Sequence, residues 1–291
     1  MRRRRRQPGF VLLLVLVLLA TAAALLALVA RQTSRRALEA GARTRDVQRR
    51  WAVRGLEALC FARAEAILTG AAREGEPPPA AARVTVTLGG TPFDVVVADE
   101  QAKANVNRLA AEGGGERIIE AASALSEGRW VLQVVLRPVE MKTDEIRTPP
   151  MRFASLEQVF SAAGPADLLG AGPDRPGPVQ RLTCWGNGRV NLARAAPAVL
   201  RTALGDVLTE YDLFRLAALR DETPGGNVKE ILGQLGLEDK VRAEAERRLT
   251  DSSACYSVWI TAREKTRAWH RLGVRQQGDA ENDAGRWTFV W

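Results

Sequence analysis

PGFVLLLVLVLLATAAALLALVA, residues 8–30, is the stretch on which the rest of the chain turns. From Phe10 to Ala30 the one polar side chain is Thr21. A helix rises ~1.5 Å per residue, so such a run spans roughly 31 Å, about one hydrocarbon core. Residues 10–30 are therefore expected to be a membrane-spanning helix. A cleaved secretory signal competes with this reading, since Ala20-Thr21-Ala22 supplies a small-residue cleavage site. A twin-arginine signal fits less well, because no Phe-Leu follows the Arg2–Arg6 run. Arginines flank the span on both sides, among them Arg31, Arg35 and Arg36, so charge bias leaves its orientation open.

The helical pattern continues beyond the apolar run. No Pro occurs from Arg31 to Leu68, and Val53, Leu56, Cys60, Ala64 and Ile67 recur at helical spacing. The spacing predicts one helix of about 60 residues with its last third packed on a domain, ended by Pro77-Pro78-Pro79.

Charge and composition narrow the function classes. The chain has 291 residues with 42 Lys+Arg against 34 Asp+Glu, a formal +8. Arg2–Arg6 carry five of those eight charges, and residues 31–54 hold eight Arg against Glu39 and Asp46. The remainder of the chain, 55–291, is slightly acidic, so the basic average is no argument for a nucleic-acid partner. At 46% hydrophobic and 26% charged the chain is globular rather than disordered. Three cysteines exclude a disulfide scaffold, and His270 as sole histidine leaves little material for Ser-His-Asp catalysis or a histidine-rich metal site. No nucleophile with a base, paired carboxylates or phosphate loop stands out, so no enzyme is expected.

Beyond residue 70, alternation predicts strands at Val84–Leu88 and Phe93–Val97, joined through Gly89-Gly90-Thr91-Pro92. The segment Asp99-Glu100-Gln101-Ala102-Lys103-Ala104-Asn105-Val106-Asn107-Arg108-Leu109 comes next, and asparagines at alternate positions are suited to bond nearby backbone and end a strand. A short helix is expected at 116–125 and a strand from Trp130 to Leu136. In Phe153-Ala154-Ser155-Leu156-Glu157-Gln158-Val159-Phe160, Ser155 is a candidate helix N-cap. Gly and Pro between 164 and 178 mark a linker. Helices are expected at about 196–204, 209–221, 227–235 and 238–249, then alternating strands around Tyr256–Ala262, Ala268–Val274 and Trp287–Trp291.

Four of these stretches resemble the pseudopilins of type II secretion, and the K-type minor pseudopilin in particular, Phe153–Phe160 among them by its similarity to a helix start of that subunit. Pro8-Gly9-Phe10 after a basic leader is similar to the site at which prepilin peptidase cuts after Gly and methylates the new amine, here on Phe10. Most pseudopilins carry Glu at the fifth mature position; here it is Leu14, as is typical of the K-type subunit. Asp99–Leu109, with Asn105 and Asn107, resembles the segment at which that subunit leaves its sheet. Gly186-Asn187-Gly188-Arg189-Val190-Asn191-Leu192-Ala193-Arg194 resembles its second signature through Gly186, Gly188 and Asn191, and departs from it at Ala193 and Arg194.

The resemblance implies an α+β pseudopilin fold: a long N-terminal helix on a small antiparallel sheet, with a large inserted helical (SAM-like) domain. The expected division is leader 1–9, transmembrane helix 10–30, helix continuation 31–70, strands 71–104, inserted domain 105–250 and strands 251–291. It implies a structural subunit at the pseudopilus tip, with I- and J-type minor pseudopilins and prepilin peptidase as partners. The chain would be single-pass in the bacterial inner membrane with its C-terminal domain in the periplasm. Two other readings stay open, a signal-anchored envelope protein with a partner-binding domain and a membrane-tethered helix-hairpin-helix DNA-uptake module. The second is opposed by the single glycine and by Asp206 in the turn Leu204-Gly205-Asp206.

Two further sets are candidates. Asp279, Glu281 and Asp283 alternate as oxygen ligands for calcium, against the reading of a solvated hairpin tip. Cys184 and Cys255 would be able to pair as a disulfide in an oxidising compartment, against the reading of buried free thiols.

Overall fold

The computed structural model describes residues 8–72, 77–130, 132–139, 151–161, 164–172, 175–223, 225–264, 267–277 and 285–290. Arg2–Arg6, the calcium candidates Asp279, Glu281 and Asp283, and Trp291 lie outside the described residues. The chain divides into two compact units, Met1–Ala52 and Val53–Trp291.

The first unit is helix throughout its described length. Helix α1 runs Pro8–Ala62, and its apolar residues from Phe10 (67% exposed) to Val29 face outward. This helix is long and apolar enough to span a membrane.

The second unit opens on the end of α1. The helix breaks at Arg63, whose backbone N–H is shared between the carbonyls of Leu59 and Cys60, and resumes as α2, Ala64–Gly70. Gly70 therefore ends it, before the three prolines expected to do so. Of the expected stripe, Leu56, Cys60 and Ala64 are buried and Val53 and Ile67 half-buried, with Leu68 buried beside them.

Strands β1 (Ala81–Leu88) and β2 (Thr91–Asp99) form the expected hairpin, with Leu88 opposite Thr91. Short β3 (Ala104–Asn105) leads into α3 (Val106–Ser126), which bends at Gly113 and Gly114 and begins ten residues earlier than the sequence pattern suggests. Within the strand expected at Trp130–Leu136, residues 132–136 form an extended segment bridged to residues 158–161 through Val134 and Phe160. The expected helix at Ser155 is one 3₁₀ turn, Leu156–Gln158, without a bond from the serine hydroxyl; the Gln158 side chain accepts from Ala154 N instead. The glycine- and proline-rich stretch is ordered in short pieces: α4 (Pro165–Leu169), β4 (Gly170–Gly172), β5 (Arg175–Pro176) and a 3₁₀ turn at Pro178–Gln180, with Leu168 and Val179 buried.

Two-residue strands β6 (Leu182–Thr183) and β7 (Val190–Asn191) precede helices α5 (Pro197–Leu204), α6 (Glu210–Glu222), α7 (Val228–Gln234) and α8 (Asp239–Arg248). Thr209 and Asp212 form a reciprocal capping box on α6. After β8 (Leu249–Thr250), the chain returns to the sheet with β9 (Cys255–Glu264), β10 (Arg267–Gln276) and β11 (Gly285–Val290).

The main sheet has the order β1-β2-β9-β10-β11, antiparallel at every step. Strands 156 residues apart in sequence, β2 and β9, are thus central neighbours, with Asp99 opposite Tyr256 at the point where the chain leaves and returns. Both faces are covered. Phe93, Val95, Val97, Val258 and Ile260 lie under the end of α1 and under α2, where a Cβ on Gly273 would come within 3.1 Å of the Phe61 ring and 2.9 Å of the Glu57 carboxylate. Only glycine at 273 lets the helix sit this close. Beside it the buried Glu57 accepts from Arg271 Nε at 2.6 Å. Cys255, Trp259, Leu272 and Val274 face the opposite way and share one apolar core with the helices of the insert.

Candidate functional site

The two asparagine-containing motifs meet in a buried polar junction where the insert joins the sheet. Asp99 closes β2, and its Oδ1 accepts from the backbone N–H of Gln101 (2.8 Å) and Ala102 (3.2 Å), turning the strand into a short 3₁₀ turn. Asn105 caps α3 by accepting from Arg108 N at 3.0 Å and donates to the Trp185 carbonyl at 2.8 Å. Asn107 accepts from Phe153 N (2.7 Å) and donates to the carbonyls of Phe153 (3.0 Å) and Cys184 (2.8 Å). One asparagine thus starts the helix, and the other ties three segments together.

The second motif approaches from the opposite side. Gly186 (φ +89°) and Gly188 (φ +79°) occupy the left-handed region that glycine tolerates, and a Cβ on either would meet Gln101 or Arg108 at 3.4 Å. Asn187 Oδ1 accepts from the Gln101 amide at 2.7 Å, and Gln101 Oε1 in turn accepts from Ala254 N at 2.5 Å. Asn191 donates to Asp99 Oδ2 at 2.8 Å. Arg194 reaches the same oxygen at 3.3 Å and clasps Glu65 of α2 at 2.5 and 3.0 Å, while the Tyr256 hydroxyl donates to Glu65 at 2.6 Å. The sequence motifs pointed to Asn105, Asn107, Gly186, Gly188 and Asn191, and the structure brings all five to this junction. They did not point to Glu65, and Arg194 read only as a departure from a pattern. It stands 129 residues from its carboxylate partner, a distance no local pattern reports.

Burial sets the electrostatics. It pushes the Asp99 carboxyl above its ordinary range, opposed by bonds from Ser253, Asn191 and Arg194. The bond from Arg194 holds Glu65 below its ordinary range against partial burial, with Tyr256 adding to the effect. Burial disfavours the charged guanidinium of Arg194, but Glu65 and Asp99 outweigh it and raise its pKa. Tyr256 is raised by burial and by its bond to Glu65. A second pair lies deeper: Lys103 Nζ meets Glu100 Oε1 at 2.5 Å with both side chains at 0% exposure, and Ser257 donates to the same oxygen. Such a network joins parts of a fold. Ser257 is itself fully buried against the carboxylate it bonds.

The other candidates fall elsewhere. Cys60, Cys184 and Cys255 are free and buried, so of the two readings weighed for Cys184 and Cys255 the structure shows buried free thiols. Both thiols sit in the core, where burial and the nearby Glu100 raise them and keep them protonated. His270 is partly buried and bonds Thr261 Oγ1 at 3.0 Å, and burial, with Arg263, lowers its pKa. Asp206, in the turn weighed as a DNA-binding hairpin, pairs with Arg248 at 2.6 and 2.9 Å. Among the described residues no group of three or more His, Cys, Asp or Glu is placed to hold a metal ion. Gly9, Phe10 and Leu14 lie in the first two turns of α1, with Phe10 and Leu14 exposed.

No protein-family model and no curated protein sequence matches the chain. A solved structure does: a chain of the GspK-GspI-GspJ complex of the enterotoxigenic Escherichia coli type 2 secretion system, with a TM-score of 0.50 and 13% identity over 86% of this chain and 99% of that one. At this identity the likeness is one of fold, and it extends over nearly the whole of the solved chain. Over the matched part of the chain, the α+β fold is therefore one that a component of a type II secretion complex also has.

Proposed function

We propose that the chain is a structural, K-type minor pseudopilin at the tip of a type II secretion pseudopilus, needed for protein export across the outer membrane. The observation that carries the reading is topological. Along the chain a long apolar helix is followed by five antiparallel strands of one sheet, and a helical domain is inserted between the neighbouring strands β2 and β9. In this reading prepilin peptidase cuts between Gly9 and Phe10, the new amine is methylated, and α1 anchors the protein in the inner membrane with its folded part in the periplasm. I- and J-type minor pseudopilins pack beside it. The bulk of the insert suits the last subunit, since it would hinder stacking above it. Leu14 suits it as well, because a subunit with nothing ahead of it has no neighbouring amine to neutralise.

The test is the mass of the mature N-terminus in cells with and without prepilin peptidase. A methylated Phe10 terminus that depends on the peptidase supports the reading. An intact Met1, or a terminus after Ala22, overturns it. Calcium at Asp279, Glu281 and Asp283 belongs to the same proposal: added calcium should raise the thermal midpoint of the wild type and leave D279N/E281Q/D283N unmoved.

A further inference from the structure

The stretch of α1 that succeeds the apolar run carries a pattern separate from its length. Thr33, Ala37, Ala40, Thr44, Val47 and Trp51 recur at alternating spacings of four and three, a seven-residue repeat that places them along one side of the helix. Every charged residue between Arg31 and Arg50 falls on other positions of that repeat. All six are exposed, Trp51 at 68% and Val47 at 48%. The two threonine hydroxyls are spent on their own helix, bonding the carbonyls of Val29 (2.9 Å) and Ala40 (3.0 Å), so what they present outward is their methyl groups. The result is an uncharged face of small residues ending on a tryptophan.

The flanks of this face differ. Along one edge lie Arg36, Arg43 and Arg50, seven residues apart; along the other lie Ser34, Gly41 and Gln48, also seven apart and all neutral. Arg50 also pairs with Asp46 on its own helix, but an exposed pair of this kind holds it only weakly. In paired helices, residues at such flanking positions meet the flank of the partner and set which partner is accepted.

We propose that this face docks a helix of a different chain that carries acidic residues opposite Arg36, Arg43 and Arg50. A second copy of this chain fits poorly. Side by side in the same direction, the arginines would meet Ser34, Gly41 and Gln48, and in opposite directions they would meet one another. The seam rests on α1 alone. The same-direction arrangement rests on the proposed function, in which the partner's helix rises from the same bilayer.

The test uses the full-length protein in detergent micelles and two labelled synthetic helices about three heptads long, identical in their apolar seam and carrying either Glu or Lys on the flanks. The Glu helix should bind at least about tenfold more tightly at low salt, and R36E/R43E/R50E should reverse the preference. R31E/R35E/R49E makes the same change in charge away from the seam and should leave the preference in place, with far-UV circular dichroism confirming the helix in each variant. Equal binding of the two helices overturns the proposal, as does an equal effect of the two triple variants. A peptidase-dependent Phe10 terminus without flank selectivity removes the seam alone. Selectivity with an unprocessed terminus removes the proposed function alone.

Discussion

Asn191 donates its side-chain amide to the fully buried carboxylate of Asp99 at 2.8 Å, across 92 residues of sequence. Asp99 is the last residue of β2 and Asn191 the last of β7, so this bond fastens the helical insert to the strand from which it departs. Removing one partner from a buried pair strands the other without water to replace it. Asn191→Ala is expected to cost about 1–3 kcal/mol in equilibrium urea unfolding. An unchanged midpoint would show that Arg194 satisfies Asp99 by itself.

The Glu100–Lys103 pair should behave as a unit. With both side chains at 0% exposure, Lys103→Met leaves a buried carboxylate uncompensated, at a cost of about 3–5 kcal/mol. The double variant E100M/K103M should recover most of that loss, because no buried charge is left. A double-mutant cycle in denaturant reads the coupling; additive losses would contradict it.

Glu65 links α2 to the junction, and its pH dependence has a defined sign. Arg194 and Tyr256 lower its pKa in the folded protein below the ordinary 4.5. Its stabilising contribution is therefore fully present above that value and is lost as pH falls through the lower, folded value. Asp99, whose pKa is raised, works in the opposite sense, so the quantity to follow is the difference between wild type and Glu65→Gln. That difference in thermal midpoint should be constant near neutral pH and shrink from about pH 5 towards about pH 3. A difference that grows on acidification would mean Glu65 is not the stabilised carboxylate.

Gly273 tests the seating of the helix on the sheet. A single methyl group there would press on Phe61 at 3.1 Å and on the buried Glu57, which is held in turn by Arg271. Gly273→Ala should destabilise the fold by about 1–3 kcal/mol, as overpacking does. Pairing it with Phe61→Ala, which empties the space the methyl needs, should reduce the added cost of the alanine; a cost that stays the same would place its origin in the strand.

Much of the architecture was legible in local pattern. The period of the stripe Leu56, Cys60, Ala64 identifies a helix face, and the alternation of Phe93, Val95 and Val97 a strand. Where competing local signals were close, the reading failed. Ser155 looked like a cap, but the residues around it pair with the extended segment at 133–139, and only one 3₁₀ turn forms. The glycines and prolines of 164–178 suggested a linker, yet Leu168 and Val179 are drawn into the core and order it.

By itself, then, the sequence determined what each segment is: an apolar helix long enough for a bilayer, alternating strands, and asparagines that end one element and begin the next. These properties arise from periodicity and from bonds within a few residues. Tertiary structure alone decided which segments meet. Asp99 finds Asn191, Arg194 finds Glu65, Glu57 finds Arg271, and Gly273 yields to Phe61, because burial rewards whichever distant group can satisfy a charge or fill a space. No spacing along the chain records that choice, since it is made by the closure of the sheet around an insert more than half as long as the protein.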